Sequence, residues 1–242
     1  MEESLMHCTE TLKDCGTTKF SKIKKFNNKS SEIEKSNNKS NDILNIFPKK
    51  PHSAIIAGQT GCGKTVFILD LLKKQYLHVF EHIVILCPTV KYNQSYKNCS
   101  WVWSDPEVYI FDPGHRLHEW LKELYNTFQG SPTLYIIDDM SASKALTKKK
   151  DTLSELAFSG RHAQQSIWVC SQRYNSVLKD LREQTQWVGL FHCKDRDSFD
   201  ECLRENDVVP PDQRASIRSQ LAAKKHSVLV LNTNQPSICI KC

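Results

Sequence analysis

An α/β fold with a mostly parallel central sheet flanked by helices is predicted by three observations on this 242-residue chain. Beyond residue 47, short apolar runs alternate with longer amphipathic segments, the pattern of successive βαβ units. The runs are continuous in Val, Ile and Leu rather than alternating with polar residues, as strands covered on both faces are. The third observation is the stretch AIIAGQTGCGKT, Ala54 to Thr65, in which a glycine-rich turn joins the first apolar run to the first amphipathic segment.

In chain order, the predicted strands are Ala54 to Ala57, Ile83 to Cys87, Val108 to Phe111, Leu134 to Ile137, Ile167 to Cys170, Val188 to His192 and Val228 to Leu231. Helices are expected at Lys64 to Tyr76, Arg116 to Phe128, Asp151 to Gly160, Ser198 to Arg204 and Pro211 to Lys225. The closing segment NQPSICIKC reads as a turn and one edge strand. SWVWSDPEVY places two tryptophans before a strand, as core or subunit-contact surface.

Residues 1–47 differ from the rest. They are rich in Lys, Asn and Ser and carry an imperfect duplication, KFNNKSSEIE followed by KSNNKSNDIL. So few apolar groups cannot offset the entropy of ordering, so a disordered polar tail at 1–47 and one folded domain at 48–242 are expected. The tail reads as a plain leader or as a tether that grazes nucleic acid.

Composition narrows the class. The formal charge of +6 is compatible with a polyanionic partner and does not demand one. Ten cysteines occur, but the opening residues MEESLMHCTETLKDCG lack an apolar signal core, so reduced thiols and an intracellular location are expected. No apolar stretch approaches the roughly 20 residues that cross a bilayer.

The spacing Gly58-x-x-x-x-Gly63-Lys64-Thr65 fits the phosphate-binding P-loop, with a strand before it and a helix after it. Glycines let backbone N–H groups turn inward around phosphate oxygens, and the helix directs its partial positive end at them. Gly58, Gln59, Thr60, Gly61, Cys62, Gly63, Lys64 and Thr65 would therefore cradle ATP. Lys64 would reach the terminal phosphates, and the Thr65 hydroxyl would help coordinate Mg²⁺.

A metal site also needs a carboxylate at a neighbouring strand end. TLYIIDDM supplies Asp138 for the metal and Asp139, one residue on, as the base that orients water. With further strands between loop and aspartates, this is the additional-strand (RecA-like) type of P-loop NTPase. Many relatives of that type have Glu where Asp139 stands, and Asp is shorter. In SGRHAQQSIWVCSQRY, Gln172 closes an apolar strand as a sensor of the γ-phosphate. Arg161, ahead of that strand, would lie near the sheet's edge and reach a neighbouring subunit's nucleotide as a finger; Arg173 and Arg182 are further candidates for that charge.

The set IIAGQTGCGKT, LYIIDDM, SGRHAQQSIWVCSQ and VLKDLREQTQWVGLF resembles the poxvirus-type genome-packaging ATPases of large DNA viruses and Polinton/Maverick elements, within the FtsK/HerA superfamily. The resemblance spans about residues 47 to 235. It implies an ATP-driven homo-oligomeric ring that moves double-stranded DNA, without reading its sequence, into a preformed capsid. Capsid proteins would be partners, and the work would proceed at a viral assembly site or in the nucleus, with association to the virion. By this resemblance Gln172 and Arg161 correspond to the family's strand-end glutamine and its arginine.

An arginine-rich, aromatic-interleaved stripe is not visible, so contact with DNA would fall to scattered lysines such as Thr147 to Lys150 or Lys224 and Lys225. Cys239 and Cys242 form a single C-x-x-C, read as thiols on an edge strand rather than a zinc site. Two rivals stand beside the motor: an ATP-dependent switch or assembly scaffold that pumps no DNA, and a small-molecule phosphotransferase.

Overall fold

Every apolar run singled out above is a strand of one sheet. The computed structural model describes residues 24–25, 47–139, 152–233 and 238–241. Its strands are β1 (Lys24–Lys25), β2 (Ser53–Ala57), β3 (His82–Leu86), β4 (Val108–Phe111), β5 (Thr133–Ile137), β6 (Gln165–Ser171), β7 (Trp187–Phe191), β8 (Val228–Asn232) and β9 (Ile238–Lys241). They hydrogen-bond in the order β1-β9-β8-β7-β2-β6-β5-β3-β4. From β7 across to β4 all neighbours are parallel. β8 runs antiparallel to β7, as do β9 to β8 and β1 to β9. The C-terminal ends of the parallel strands therefore share one rim with the N-terminal end of β8.

The helices are α1 (Lys64–Leu71), α2 (Gln94–Lys97), α3 (Ser100–Ser104), α4 (Leu117–Thr127), α5 (Thr152–Ser159), α6 (Lys179–Glu183), α7 (Arg196–Asn206) and α8 (Pro211–Ala223). They cover both faces of the sheet, which is why the strands need no polar face. In β2, Ile55 and Ala57 join one core with Leu121 of α4, Leu156 of α5, Phe199 of α7 and Leu221 of α8. Ala54 and Ile56 point the other way, to a second core with Ile68 of α1, Tyr96 of α2 and Val102 of α3. A fully buried Ile or Leu contributes roughly 1.5–3 kcal/mol relative to an exposed one, so these two layers carry most of the drive to fold. In α4, Leu117, Leu121 and Leu124 are buried at helical spacing, and the helix stops three residues before Gly130, whose φ is 87°.

α1 continues into a π turn over Leu72–Tyr76, closed by Leu77 N–H donating to the Leu72 carbonyl at 2.8 Å. Tyr76 at its end is buried edge-on against Trp168, with ring centroids 5.0 Å apart, and donates its hydroxyl to the Pro48 carbonyl. SWVWS, expected only as a segment ahead of a strand, forms helix α3. Trp101 packs against the second core, and the half-exposed Trp103 donates its indole N–H to the Tyr96 carbonyl.

The polar tail lies outside the described residues except for Lys24–Lys25, paired with Ile240 and Lys241, and Phe47, which meets Trp187 edge-on at 5.1 Å. Thr147 to Lys150 and Cys242 also lie outside them. Cys62, Cys87, Cys99, Cys170, Cys193 and Cys202 are buried thiols that form no disulfide. Among the described residues no helix is long and apolar enough to cross a membrane, and no cluster of three or more His, Cys, Asp or Glu could hold a metal ion.

Candidate active site

The chain crosses from β2 through β3 and β4 before it builds β5 and β6, and β6 returns to lie between β2 and β5. The glycine loop after β2 and the aspartates after β5 thus sit at the same rim, with one strand between them. Across that rim Ala57 pairs with Ser171 and Ile137 with Val169. Gly58 N–H donates to the Ser171 carbonyl at 3.1 Å, and Asp138 N–H to the Leu86 carbonyl at 3.0 Å, extending the ladder into the site.

The loop is shaped by its glycines. Gly61 and Gly63 have φ of 76° and 102°, in the left-handed region where a side chain is strained. A Cβ on Gly58 would lie 2.5 Å from Phe191 Cβ and 2.8 Å from Cys62 Sγ, so the close approach of loop and β7 excludes any larger residue. α1 begins at Lys64 with no side-chain cap and no acidic residue in its first turn, leaving its N-terminal N–H groups to an anion. Lys64 Nζ donates to the carbonyls of Gly58 at 2.6 Å and Gln59 at 3.1 Å, which holds the ammonium over the loop. Thr60 and Gly61 are exposed at the loop tip.

Thr65 Oγ1 donates to Asp138 Oδ2 at 2.9 Å. That oxygen also accepts the Tyr96 hydroxyl at 2.9 Å, from a residue that is wholly buried on α2. Burial first, and then the Asp138 charge, push the Tyr96 phenol well above its ordinary range, so it remains a donor. Nearby thiols are held protonated as well: burial raises Cys170 well above its usual value and Cys87 to about 12. Tyr96 escaped the sequence reading because it is one aromatic among many in a segment without periodicity; only the fold brings α2 over the end of β5.

Asp139 has φ of 56°, and its exposed carboxylate accepts the Thr89 hydroxyl at 2.6 Å. Thr89 follows β3, so this carboxylate leans to the β3 side of β5, opposite to β6. Gln172 is exposed directly after Ser171 and stands at the loop's flank.

The arginines separate sharply. Arg161, expected near the sheet's edge, instead precedes an interior strand, in a 3-10 turn over Gly160–Ala163 at the opposite rim. The seven residues of β6 lie between it and the loop's rim. At roughly 3.3 Å per residue that is more than about 20 Å, beyond the reach of any side chain. Arg182 is also not free to serve: its side chain is 9% exposed, bonds Glu205 at 2.6 Å and Glu201 at 3.2 Å, and lies over the Tyr174 ring. Arg173 follows Gln172 at the loop's rim, exposed and 3.7 Å from Asp195. Lys224 and Lys225, considered above for DNA, sit exposed before β8 at that same rim.

The oxygen pair of Thr65 and Asp138 suits a hard divalent cation such as Mg²⁺, and the uncapped helix with its glycine turn suits a phosphate chain. Loop, lysine, strand-end carboxylate and interposed strand together define a P-loop ATPase. The chain belongs to the poxvirus A32 protein family, whose model matches residues 38–231. Solved structures share the fold. One is the genome packaging NTPase B204 of Sulfolobus turreted icosahedral virus 2 in complex with AMPPCP, at 15% identity and a TM-score of 0.54 over 81% of this chain and 99% of that one. Another is B204, the DNA-packaging ATPase of Sulfolobus turreted icosahedral virus, at 13% identity and a TM-score of 0.59, with coverage of 81% and 98%. A third is the cytoplasmic domain of the Thermomonospora curvata type VII secretion ATPase EccC, at 12% identity and a TM-score of 0.51, covering 78% of this chain and 25% of that one. No curated protein sequence matches the chain.

Proposed function

We propose that this ATPase powers genome packaging: Mg²⁺-dependent hydrolysis of ATP, in a homo-oligomeric ring, drives double-stranded DNA into a capsid within the infected cell. The observation that carries the reading is the 2.9 Å approach of Thr65 Oγ1 to Asp138 Oδ2 across the interposed strand β6. Family membership and the fold shared with viral packaging enzymes support the packaging role.

Thr65 and Asp138 would hold the magnesium ion, with Tyr96 fixing the orientation of the carboxylate. When bound, that ion neutralises charge on the β- and γ-phosphates. Lys64 would leave the Gly58 and Gln59 carbonyls for the terminal phosphate oxygens. Gln172 would orient the attacking water, and Asp139 would accept its proton after exchanging Thr89 for that water. Water then adds to the γ-phosphorus as the bond to ADP breaks. Arg161, remote from its own loop, would stabilise that charge in a neighbouring subunit.

The test is steady-state turnover with and without duplex DNA. Duplex DNA is expected to stimulate hydrolysis, and Lys64→Ala is expected to reduce turnover to background while circular dichroism stays that of the wild type. Normal turnover in Lys64→Ala would overturn the loop assignment. A monomer whose hydrolysis ignores DNA would instead favour the switch or scaffold.

A further inference from the structure

His226 belongs to none of the motifs above, yet it touches the phosphate loop. Because β8 runs antiparallel to β7, the turn that precedes it lies at the loop's rim. Ser227 closes that turn, donating both N–H and hydroxyl to the Lys224 carbonyl at 3.3 and 2.9 Å. His226 Nδ1 then lies 3.0 Å from the Cys62 carbonyl oxygen, a contact between residues 164 apart in sequence. A carbonyl only accepts, so Nδ1 carries the hydrogen and donates.

Two details mark the contact as built. Within that turn His226 has φ of 65°, a left-handed conformation that a side-chain-bearing residue rarely adopts, although the residue is largely solvent-exposed. A Cβ on Gly63 would come within 2.9 Å of His226 Nδ1, so the glycine of the phosphate motif leaves room for this ring as well as for its own φ of 102°.

The consequence follows from peptide geometry. In a trans peptide the C=O of one residue and the N–H of the next point in opposite directions. A hydrogen bond that holds the Cys62 carbonyl toward His226 therefore turns the Gly63 N–H away from His226.

We propose that His226 is a positioning residue of the phosphate cradle: its Nδ1–H holds the Cys62–Gly63 peptide so that the Gly63 N–H is preset to donate to a nucleotide phosphate. The inference rests on the assignment of this loop to ATP. It concerns affinity rather than the chemical step, because His226 touches the loop backbone and not the water-orienting residues.

The experiment compares wild type with His226→Gly, His226→Asn and His226→Gln, measuring Kd for a non-hydrolysable ATP analogue together with KM and kcat. Asn places an amide N–H where Nδ1 is and tolerates the left-handed conformation, whereas Gln places its amide where Nε2 is. His226→Gly relieves the backbone strain but supplies no donor. It is expected to raise Kd and KM about tenfold, in line with the loss of one orienting hydrogen bond, with kcat within about twofold. Its nucleotide-free unfolding midpoint is expected to equal or exceed that of wild type, which separates positioning from a loss of fold. Asn is expected to restore wild-type affinity, and Gln to behave as Gly does. Wild-type affinity in His226→Gly, or rescue by Gln and not by Asn, would overturn the proposal. Failure of the wild type itself to bind the analogue would instead strike the ATP assignment.

Discussion

At one end of β6, Gln172 stands beside the phosphate loop of its own chain; at the other, Arg161 sits in a turn at the far rim, with all seven residues of the strand between them. The near end holds groups that already meet: Lys64 on the loop carbonyls, and Thr65 and Tyr96 on one oxygen of Asp138. The far end holds an exposed cation with no partner of that kind within the phosphate site. The contrast teaches that the groups proposed for nucleotide capture meet within one chain, whereas any service of Arg161 to hydrolysis must be given to another. Binding and turnover should then separate under mutation.

The largest effect expected after loss of Lys64 is that of Arg161→Ala. A finger is worth about 10³–10⁵ in kcat, so turnover should collapse by at least about a thousandfold while Kd for ATP stays within about twofold. Mixing sharpens the contrast. Arg161→Ala subunits keep a whole site and lack the cation, and Asp138→Ala subunits keep the cation and lack the metal ligand. Activity recovered in the mixture, where neither parent has any, would place the arginine in a neighbour's site. No recovery at any ratio would return the charge-stabilising role to Arg173, at the near rim.

That difference also explains what the sequence could and could not reveal. The phosphate loop was legible because its chemistry is local: two glycines, a lysine and a threonine act through adjacent backbone, and spacing alone encodes them. The strands were legible because helices on both faces leave them continuously apolar. Arg161 was found as a residue but misplaced, since strand order decides whether β6 is an edge or an interior strand, and order is a long-range property. Arg182 was weighed as a free cation because nothing near it in sequence announces Glu201 and Glu205. Tyr96 and His226 were missed for the same reason, as each reaches the site from a segment whose own pattern carries no periodicity and no motif.

A smaller effect is expected where the near rim is weakened without being broken. Tyr96→Phe removes one of two donors from Asp138 Oδ2 and leaves the ring in the core. Groups that orient a metal ligand typically change metal affinity by about 10–100-fold, so the Mg²⁺ concentration for half-maximal hydrolysis should rise within that range. The rate at saturating Mg²⁺ should fall much less. An unchanged Mg²⁺ requirement would mean that Thr65 alone suffices to orient the carboxylate.

The smallest effect on hydrolysis is expected at the far rim, where His52 is buried just ahead of β2. Its Nδ1 lies 2.8 Å from the Lys50 carbonyl and must donate, so its Nε2 is bare and accepts the Trp168 indole N–H at 2.8 Å. Both nitrogens are satisfied only in the neutral ring, and a second proton would break the Trp168 bond. Burial, opposed by the Lys50 hydrogen bond, lowers the pKa from 6.5 to about 4. Between those two values the unfolded chain binds a proton that the folded one refuses, so stability is whole above pH 6.5 and drains as pH falls toward 4. The difference amounts to about 3 kcal/mol. Denaturant unfolding at pH 7.5 and at pH 5 should show that slope in the wild type. His52→Gln can still accept from Trp168 but cannot titrate, so it should show a shallower slope and a turnover at pH 7.5 within about twofold of wild type. An equal slope in both would remove His52 as its source. A large loss of turnover in the folded variant would show that the far rim reaches the nucleotide within a single chain, against the separation on which the Arg161 experiment depends.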